Sequence, residues 1–317
     1  MAASKPFVVN AFTKGGAGGN PAGVVWLENA EFPAEEEMQQ LAAELAYSET
    51  AFIRLAGKKE SASHEASDND NASLSADLSA ESNGAFFETR YFTPVAEVDL
   101  CGHATIGAFT ALLSLGVARD GCNYTNSTKA GELSIKIVDG CVFMEAGGPI
   151  ELAVIKDKKQ LRELYEVMGL DFSAGAEALP KTAVNFPAIV STGLPDIMLP
   201  VGDSDALMAL SPDFEKLAEL SESYGVVGVH AFVSEPSSDG WRVRNFAPLY
   251  GIDEESATGT ANAALAYRLY RCGEAAPEKT LRFVQGESMG LPSEILCSVE
   301  DDSGQCRVWV GGEAVIA

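Results

Sequence analysis

Between Pro33 and Ala46 the apolar side chains fall at Met38, Leu41, Ala42 and Leu45, the i, i+3, i+4, i+7 spacing of one helix face. Ser48-Glu49-Thr50 breaks that pattern, and residues 51–55 follow as a short strand. Glu49 is therefore expected at a helix-to-strand junction, where side chains are often aimed at a cleft. Leu100 through Ala118 contains no charged residue, close to the ~20 apolar residues that cross a bilayer. Gly102, His103, Thr105, Gly107, Thr110 and Ser114 make it a poor lipid-facing helix, and the absence of a polar face instead predicts a buried central helix. Ile106, Phe109, Thr110 and Leu113 give that helix a face, and Gly116 a stop. Strand-like runs at 7–9, 85–92, 133–138, 142–145, 295–299 and 307–310 surround it and a second helix.

The second helix belongs to a repeat. Arg90-Tyr91-Phe92-Thr93-Pro94 with Cys101-Gly102-His103-Ala104-Thr105 recurs as Arg244-Asn245-Phe246-Ala247-Pro248 with Thr258-Gly259-Thr260-Ala261-Asn262. Gly19-Asn20-Pro21 pairs with Gly193-Leu194-Pro195, Ala51-Phe52 with Ala231-Phe232, and Ala130-Gly131-Glu132-Leu133 with Met289-Gly290-Leu291-Pro292. The order is the same in both halves, so one unit was duplicated. In the second copy Ala261, Ala264, Leu265 and Leu269 carry the helical face, while Arg268 and Arg271 charge it. The junction equivalent to Glu49, around Gly228-Val229-His230, has no carboxylate. The expected fold is α+β, with two pseudo-symmetric domains, 1–150 and 151–317, each a barrel-like sheet around a central helix. The last strand, near 308–316, is expected to cross back to the N-terminal domain.

Composition narrows the class. A 317-residue chain suits two domains, each large enough for its own core. Hydrophobic content of 46% and charged content of 21% are those of an ordinary globular protein. A net charge of −24 opposes phosphate backbones and anionic membrane surfaces, so neither nucleic acid nor a membrane is an expected partner. Met1 through Pro6 leads into a strand without the apolar core of a signal peptide, and a cytoplasmic location is expected. Six scattered cysteines without a Cys-x-x-Cys pair, and three histidines, predict reduced thiols and no metal site. Residues 57–84 change to Ser, Ala, Asn, Asp and Glu, an acidic surface insertion expected at a hairpin tip, with His64 solvated.

The chemistry is expected at the two helix starts. First-turn N–H groups lack internal partners and carry partial positive charge, so they attract anions. Small residues at Cys101-Gly102-His103-Ala104 and Thr258-Gly259-Thr260-Ala261 let a ligand approach the backbone, and two facing starts suit a carboxylate. Gly15-Gly16-Ala17-Gly18-Gly19 lacks the strand, turn and helix of a dinucleotide fingerprint.

With Gly19-Asn20-Pro21-Ala22-Gly23-Val24, Ser48-Glu49-Thr50-Ala51-Phe52, Asp99-Leu100-Cys101-Gly102-His103-Ala104-Thr105 and the second-half motifs, the chain resembles the phenazine-biosynthesis isomerase (PhzF-like) family, relatives of the diaminopimelate epimerase fold. The resemblance covers nearly the whole chain outside 57–84. It implies a site in the cleft between the domains, cofactor-free acid–base chemistry on a small, carboxylate-bearing cyclic substrate, and a homodimer. Glu49 stands where the family carries its proton-shuttling glutamate, and His103 matches the histidine near the substrate. Glu255 and Thr260 take the places of an acidic aspartate and a serine, while Asn20, Ser48, Gly102, Ala104, Thr258 and Gly259 fall at substrate-binding positions. The family pattern Glu-Asp-Pro-Ala-Thr-Gly-Ser-Ala reads here Glu254-Glu255-Ser256-Ala257-Thr258-Gly259-Thr260-Ala261, so the functional groups persist with altered reach, and loss of the proline is expected to loosen the turn.

Two rival functions remain at this point. A two-cysteine racemase would use Cys101, but its partner position holds Thr258, whose hydroxyl is too weak a base. A non-catalytic protein binding a metabolite or another protein is the second. Glu49 needs burial or neighbours to bring its carboxyl toward working pH.

Overall fold

The computed structural model of the chain describes residues 5–28, 31–58, 84–172, 182–234 and 236–317. The expected insertion at 57–84, with His64, falls almost wholly outside them. The chain divides into two compact units, one of residues 1–11, 21–144 and 314–317 and one of residues 12–20 and 145–313.

The first unit runs β1 (Phe7–Ala11), β2 (Asn20–Leu27), α1 (Glu35–Leu45), β3 (Thr50–Lys58), β4 (Ala85–Phe92), β5 (Glu97–Val98), α2 (Gly102–Ser114), β6 (Asn123–Thr128), β7 (Gly131–Val138) and β8 (Cys141–Glu145). Asn20 and Glu145, at the ends of β2 and β8, belong to the second unit. Parallel strands need a crossover, and α1 supplies it between β2 and β3, where Gly23 lies opposite Thr50. Its Met38 and Ala42 bury against Val25, Phe52 and Phe92. The helix stops at Ala46, a left-handed cap with φ 56°, which turns the chain toward Glu49. The second crossover is α2, between the parallel strands β4 and β6. Residues 103–112 of α2 are buried except Thr110, which is why this stretch carries no charge. A Cβ added at Gly107 would come within 3.3 Å of Val9, so the missing side chain lets β1 lie against the helix. At 13 residues α2 is shorter than the ~20 a bilayer requires; no described helix is long and apolar enough to cross a membrane.

The second unit repeats the plan with β9 (Ile150–Val154), α3 (Lys158–Val167), β10 (Ala188–Ser191), β11 (Pro195–Val201), α4 (Ser204–Met208), α5 (Phe214–Tyr224), β12 (Val229–Val233), β13 (Trp241–Ala247), β14 (Ile252–Glu255), α6 (Gly259–Arg271), β15 (Leu281–Gln285), β16 (Ser293–Asp302) and β17 (Gln305–Gly312). Its parallel pairs are β11 with β12 and β13 with β15. Leu164, Leu217, Ile197, Leu199 and Val229 form a core beneath α3 and α5. The central helix α6 again has 13 residues and is buried from Ala261 to Leu269. Arg268 within it is 5% exposed. It pairs with Glu151 and donates to the carbonyls of Ala183 and Phe186, which offsets much of the cost of burying a charge, although its Nε has no partner among the described residues. The final strand β18 (Ala314–Ile316) belongs to the first unit and pairs antiparallel with β1, Ile316 opposite Val9.

The repeated Arg-x-Phe does the same local work in each unit. Arg90 forks onto Glu97 at 2.7 and 2.6 Å, and Arg244 forks onto Glu254 at 2.8 Å on both arms. Each guanidinium also stacks on its own phenylalanine, Phe92 at 5.2 Å and Phe246 at 4.8 Å. These bidentate pairs tie β4 to β5 and β13 to β14 just before each central helix.

Candidate active site

Both central helices begin the same way. Cys101 (φ −141°, ψ 117°) and Thr258 (φ −122°, ψ 97°) are extended N-caps whose side chains make no capping bond. Four N–H groups at a helix start lack intrahelical partners, and the side chains gathered around the two starts differ.

In the first unit the start of α2 meets the end of α1. Glu49 leaves the αL turn at Ala46, and its carbonyl accepts from Gly23 N at 3.0 Å, which anchors the junction to β2. His103, on the first turn of α2, is 8% exposed. Its Nε2 lies 3.2 Å from Ser48 Oγ and 3.3 Å from Glu49 Oε2, while its Nδ1 lies 3.3 Å from Cys101 Sγ. Glu49 Oε2, buried and close, makes no hydrogen bond of good direction among the described residues. Burial lowers the His103 pKa and the Glu49 charge opposes that less strongly, so the imidazole is neutral at neutral pH. A neutral imidazole carries one N–H, so one of the two ring nitrogens donates and the other accepts. The donor atoms of Glu49, Cys101 and His103 lie within 4.8 Å of one another, the spread a metal ion would require. The carboxylate faces Nε2 and the sulfur lies nearer Nδ1, so the imidazole stands between those donors. Gly102 and Ala104 flank His103. Ala104 is wholly buried.

In the second unit a chain of amides holds the start of α6. Gln285 Oε1 accepts from Thr258 N at 3.2 Å and from Asn262 Nδ2 at 2.8 Å. Gln285 Nε2 donates to the Glu255 carbonyl at 2.7 Å and to Thr258 Oγ1 at 3.0 Å. Thr258 Oγ1 reaches Glu255 Oε2 at 2.6 Å, and Asn20 Nδ2 reaches Glu255 Oε1 at 3.3 Å. Asn262 continues inward to His230 Nε2 at 3.3 Å, and His230 Nδ1 to Asn245 Nδ2 at 3.2 Å. His230 is wholly buried, and burial pushes its pKa down to about 3. Thr260 offers its carbonyl to Thr192 Oγ1 at 3.0 Å. The Ser256 hydroxyl donates to Gly19 O at 3.3 Å, so a hydrogen bond pins the segment that was expected to loosen without proline.

One further carboxyl lies nearby. Asp196, at the start of β11, is 2% exposed, and its Oδ1 has no hydrogen-bond partner among the described residues. Burial, with a lesser contribution from the Glu255 charge, raises its pKa to about 7 despite a bond from the Gly228 backbone.

The expected residues thus form two groups. Ser48, Glu49, Gly102, His103 and Ala104 meet in the first unit, and Asn20, Glu255, Thr258, Gly259 and Thr260 in the second. Gln285, Asn262 and Asp196 were not expected. The signal for Asn262 was present, because it occupies the repeat position of Thr105. Thr105 Oγ1 bonds Cys101 O at 2.7 Å and Asn262 Nδ2 bonds Thr258 O at 2.9 Å, each four residues back.

Comparison with known proteins places this arrangement in a family. A family model described as phenazine biosynthesis-like protein matches residues 9–317. The uncharacterized isomerase YfhB of Bacillus subtilis is 32% identical over 313 residues, covering 96% of this chain and 94% of the relative. The trans-2,3-dihydro-3-hydroxyanthranilate isomerase of Pseudomonas fluorescens is 27% identical, covering 97% and 95%. Among solved structures, a PhzF-family phenazine biosynthesis protein of Bacillus anthracis superposes with TM-score 0.76 at 26% identity, covering 100% of this chain and 98% of that one. A hydroxyproline epimerase of Agrobacterium vitis shares the fold, with TM-score 0.54 at 13% identity over 98% of this chain and 88% of its own. Two units, each a sheet wrapped on a central helix, and a match along nearly the whole chain lead to one conclusion: the protein belongs to the phenazine biosynthesis-like family of isomerases.

Proposed function

We propose that the protein moves a proton within a small, carboxylate-bearing cyclic substrate, with Glu49 as general base and acid. The observation that carries this reading is the Glu49 Oε2 atom, buried, without a directed hydrogen bond among the described residues and 3.3 Å from His103 Nε2. A carboxylate oxygen whose lone pairs are unspent is suited to take a proton from carbon, and a neutral imidazole beside it to steady the charge that results. Helix-start N–H groups suit a substrate carboxylate, and Glu255 and Thr260, at the start of α6, stand where the family resemblance expects further polar site residues. Every proton transfer in this reading has a protein group to perform it, so it calls on no cofactor. Two-thiol racemisation lacks its second thiol, since Thr258 spends its hydroxyl on Glu255.

The test uses trans-2,3-dihydro-3-hydroxyanthranilate, the substrate named for the Pseudomonas relative, and a panel of cyclic amino and hydroxy acids, with solvent deuterium incorporation as readout. Glu49→Gln is expected to abolish exchange in a protein whose melting is unchanged. Undiminished exchange in that variant refutes the role of Glu49. A homodimer is part of the same reading, and sedimentation showing only a 33.4 kDa species would remove it.

A further inference from the structure

The amide chain at the start of α6 has a direction, and the direction has a consequence for Glu255. Amide oxygen and nitrogen are ordinarily assigned from surroundings, but here backbone groups of fixed sense decide. Gln285 faces the Thr258 N–H with one end and the Glu255 carbonyl with the other, so the first end is its oxygen and the second its nitrogen. Asn262 faces the Thr258 carbonyl and Gln285 Oε1 with the same group, so that group is its nitrogen. Its oxygen then accepts from His230, which places the imidazole proton on Nε2 and leaves Nδ1 to accept from Asn245. Every hydrogen in the chain is assigned without choice.

Thr258 is where the direction matters. Its hydroxyl accepts from Gln285 Nε2, so its single proton is free for one acceptor only, the Glu255 carboxylate at 2.6 Å. Asn20 Nδ2 addresses the other oxygen. Both carboxylate oxygens thus face donors, whereas Asp196 has an oxygen with none among the described residues. Donors to a carboxylate favour its ionised form, and of two neighbouring carboxyls in unlike surroundings one keeps the charge and the other the proton.

We propose that Gln285 is a positioning residue which orients the Thr258 hydroxyl toward Glu255 and so keeps Glu255, rather than Asp196, as the charged carboxylate at the start of α6. Nothing in the chain reverses this polarity, because His230 at its inner end is buried and stays neutral. The proposal deepens the reading of Glu255 as a site residue and rests on that reading only for its effect on turnover.

The experiment follows the Glu255 carboxyl carbon by 13C NMR, assigned by its loss in Glu255→Gln, across pH in the wild type, Gln285→Met, Thr258→Val and Thr258→Ser. The Glu255 titration is expected to move up by about one pH unit in Gln285→Met and Thr258→Val, and to return to the wild-type position in Thr258→Ser, which restores the hydroxyl. A wild-type titration in a folded Gln285→Met with a displaced one in Thr258→Val overturns the role of Gln285. Should Gln285→Met fail to fold, neutron diffraction from the deuterated wild type decides instead: a Thr258 hydroxyl deuteron directed at Glu255 supports the proposal, and any other direction overturns it. A displaced titration with kcat and KM for the probe substrate unchanged leaves the positioning intact and refutes the functional role of Glu255.

Discussion

Replacing Asp196 with asparagine removes a buried charge that the fold tolerates poorly, and the stability gained depends on pH in a defined way. In the folded protein the Asp196 carboxyl titrates near 7 rather than at 3.8, chiefly because burial penalises its charged form. Between those values the folded chain holds a proton that the unfolded chain releases, so stability falls as pH rises from about 4 to about 7 and is level above. The separation, at roughly 1.4 kcal/mol per pH unit, comes to about 4 kcal/mol, an upper figure because Glu255 contributes to it and relaxation would soften it. Asparagine keeps an oxygen for the Gly228 N–H and ionises at no pH. Asp196→Asn is therefore expected to match the wild type near pH 4 and to exceed it by up to about 4 kcal/mol at pH 8. Urea unfolding followed by circular dichroism at several pH values measures both curves. A difference between the two proteins that stays constant from pH 4 to pH 8 refutes the argument, since only a carboxyl that titrates at different pH in the folded and unfolded states bends one curve and not the other.

Other substitutions test the scaffold. Gly228→Ala places a Cβ 1.9 Å from the Phe246 carbonyl oxygen, so β12 and β13 must separate; a loss of at least about 3 kcal/mol is expected, read from the denaturant midpoint. Arg244→Met strips the partner from Glu254 and the donor from the Leu207 and Leu210 carbonyls, and about 3–5 kcal/mol should go. Arg244→Lys should recover only part of that, because a lysine has no fork for the carboxylate.

Much of this architecture is legible along the chain because burial leaves a pattern. The uncharged run before Ala118 is α2, whose faces are nearly all covered, and the repeat points to α6 even though Arg268 interrupts its apolar character. That arginine reads as a surface residue in sequence, and only its pairing with Glu151 explains how it is buried. Glu49 and His103 stand out through their motifs and through the break from helix spacing to strand spacing. Gln285 and Asp196 do not, for a physical reason. Gln285 ends a short strand and looks like any polar residue at a sheet margin, and Asp196 follows a proline and looks like a turn acid. Their roles come from strand pairing across the fold, which no local window contains. Cys101 stands out in sequence only as a racemase candidate; its sulfur lies against His103 Nδ1, a contact set by the extended cap at the helix start.

The pairing of β18 with β1 has a consequence for how the chain is made. The first unit contains residues from both ends of the described chain, and the edge of β1 that takes Ala314–Ile316 stays bare on the ribosome until the whole second unit has been synthesised. An open strand edge is a template for pairing with other chains. Vectorial synthesis therefore leaves β1 waiting for this neighbour until residues 145–313 have been made, and in vivo solubility should suffer from changes that slow translation or folding of those residues.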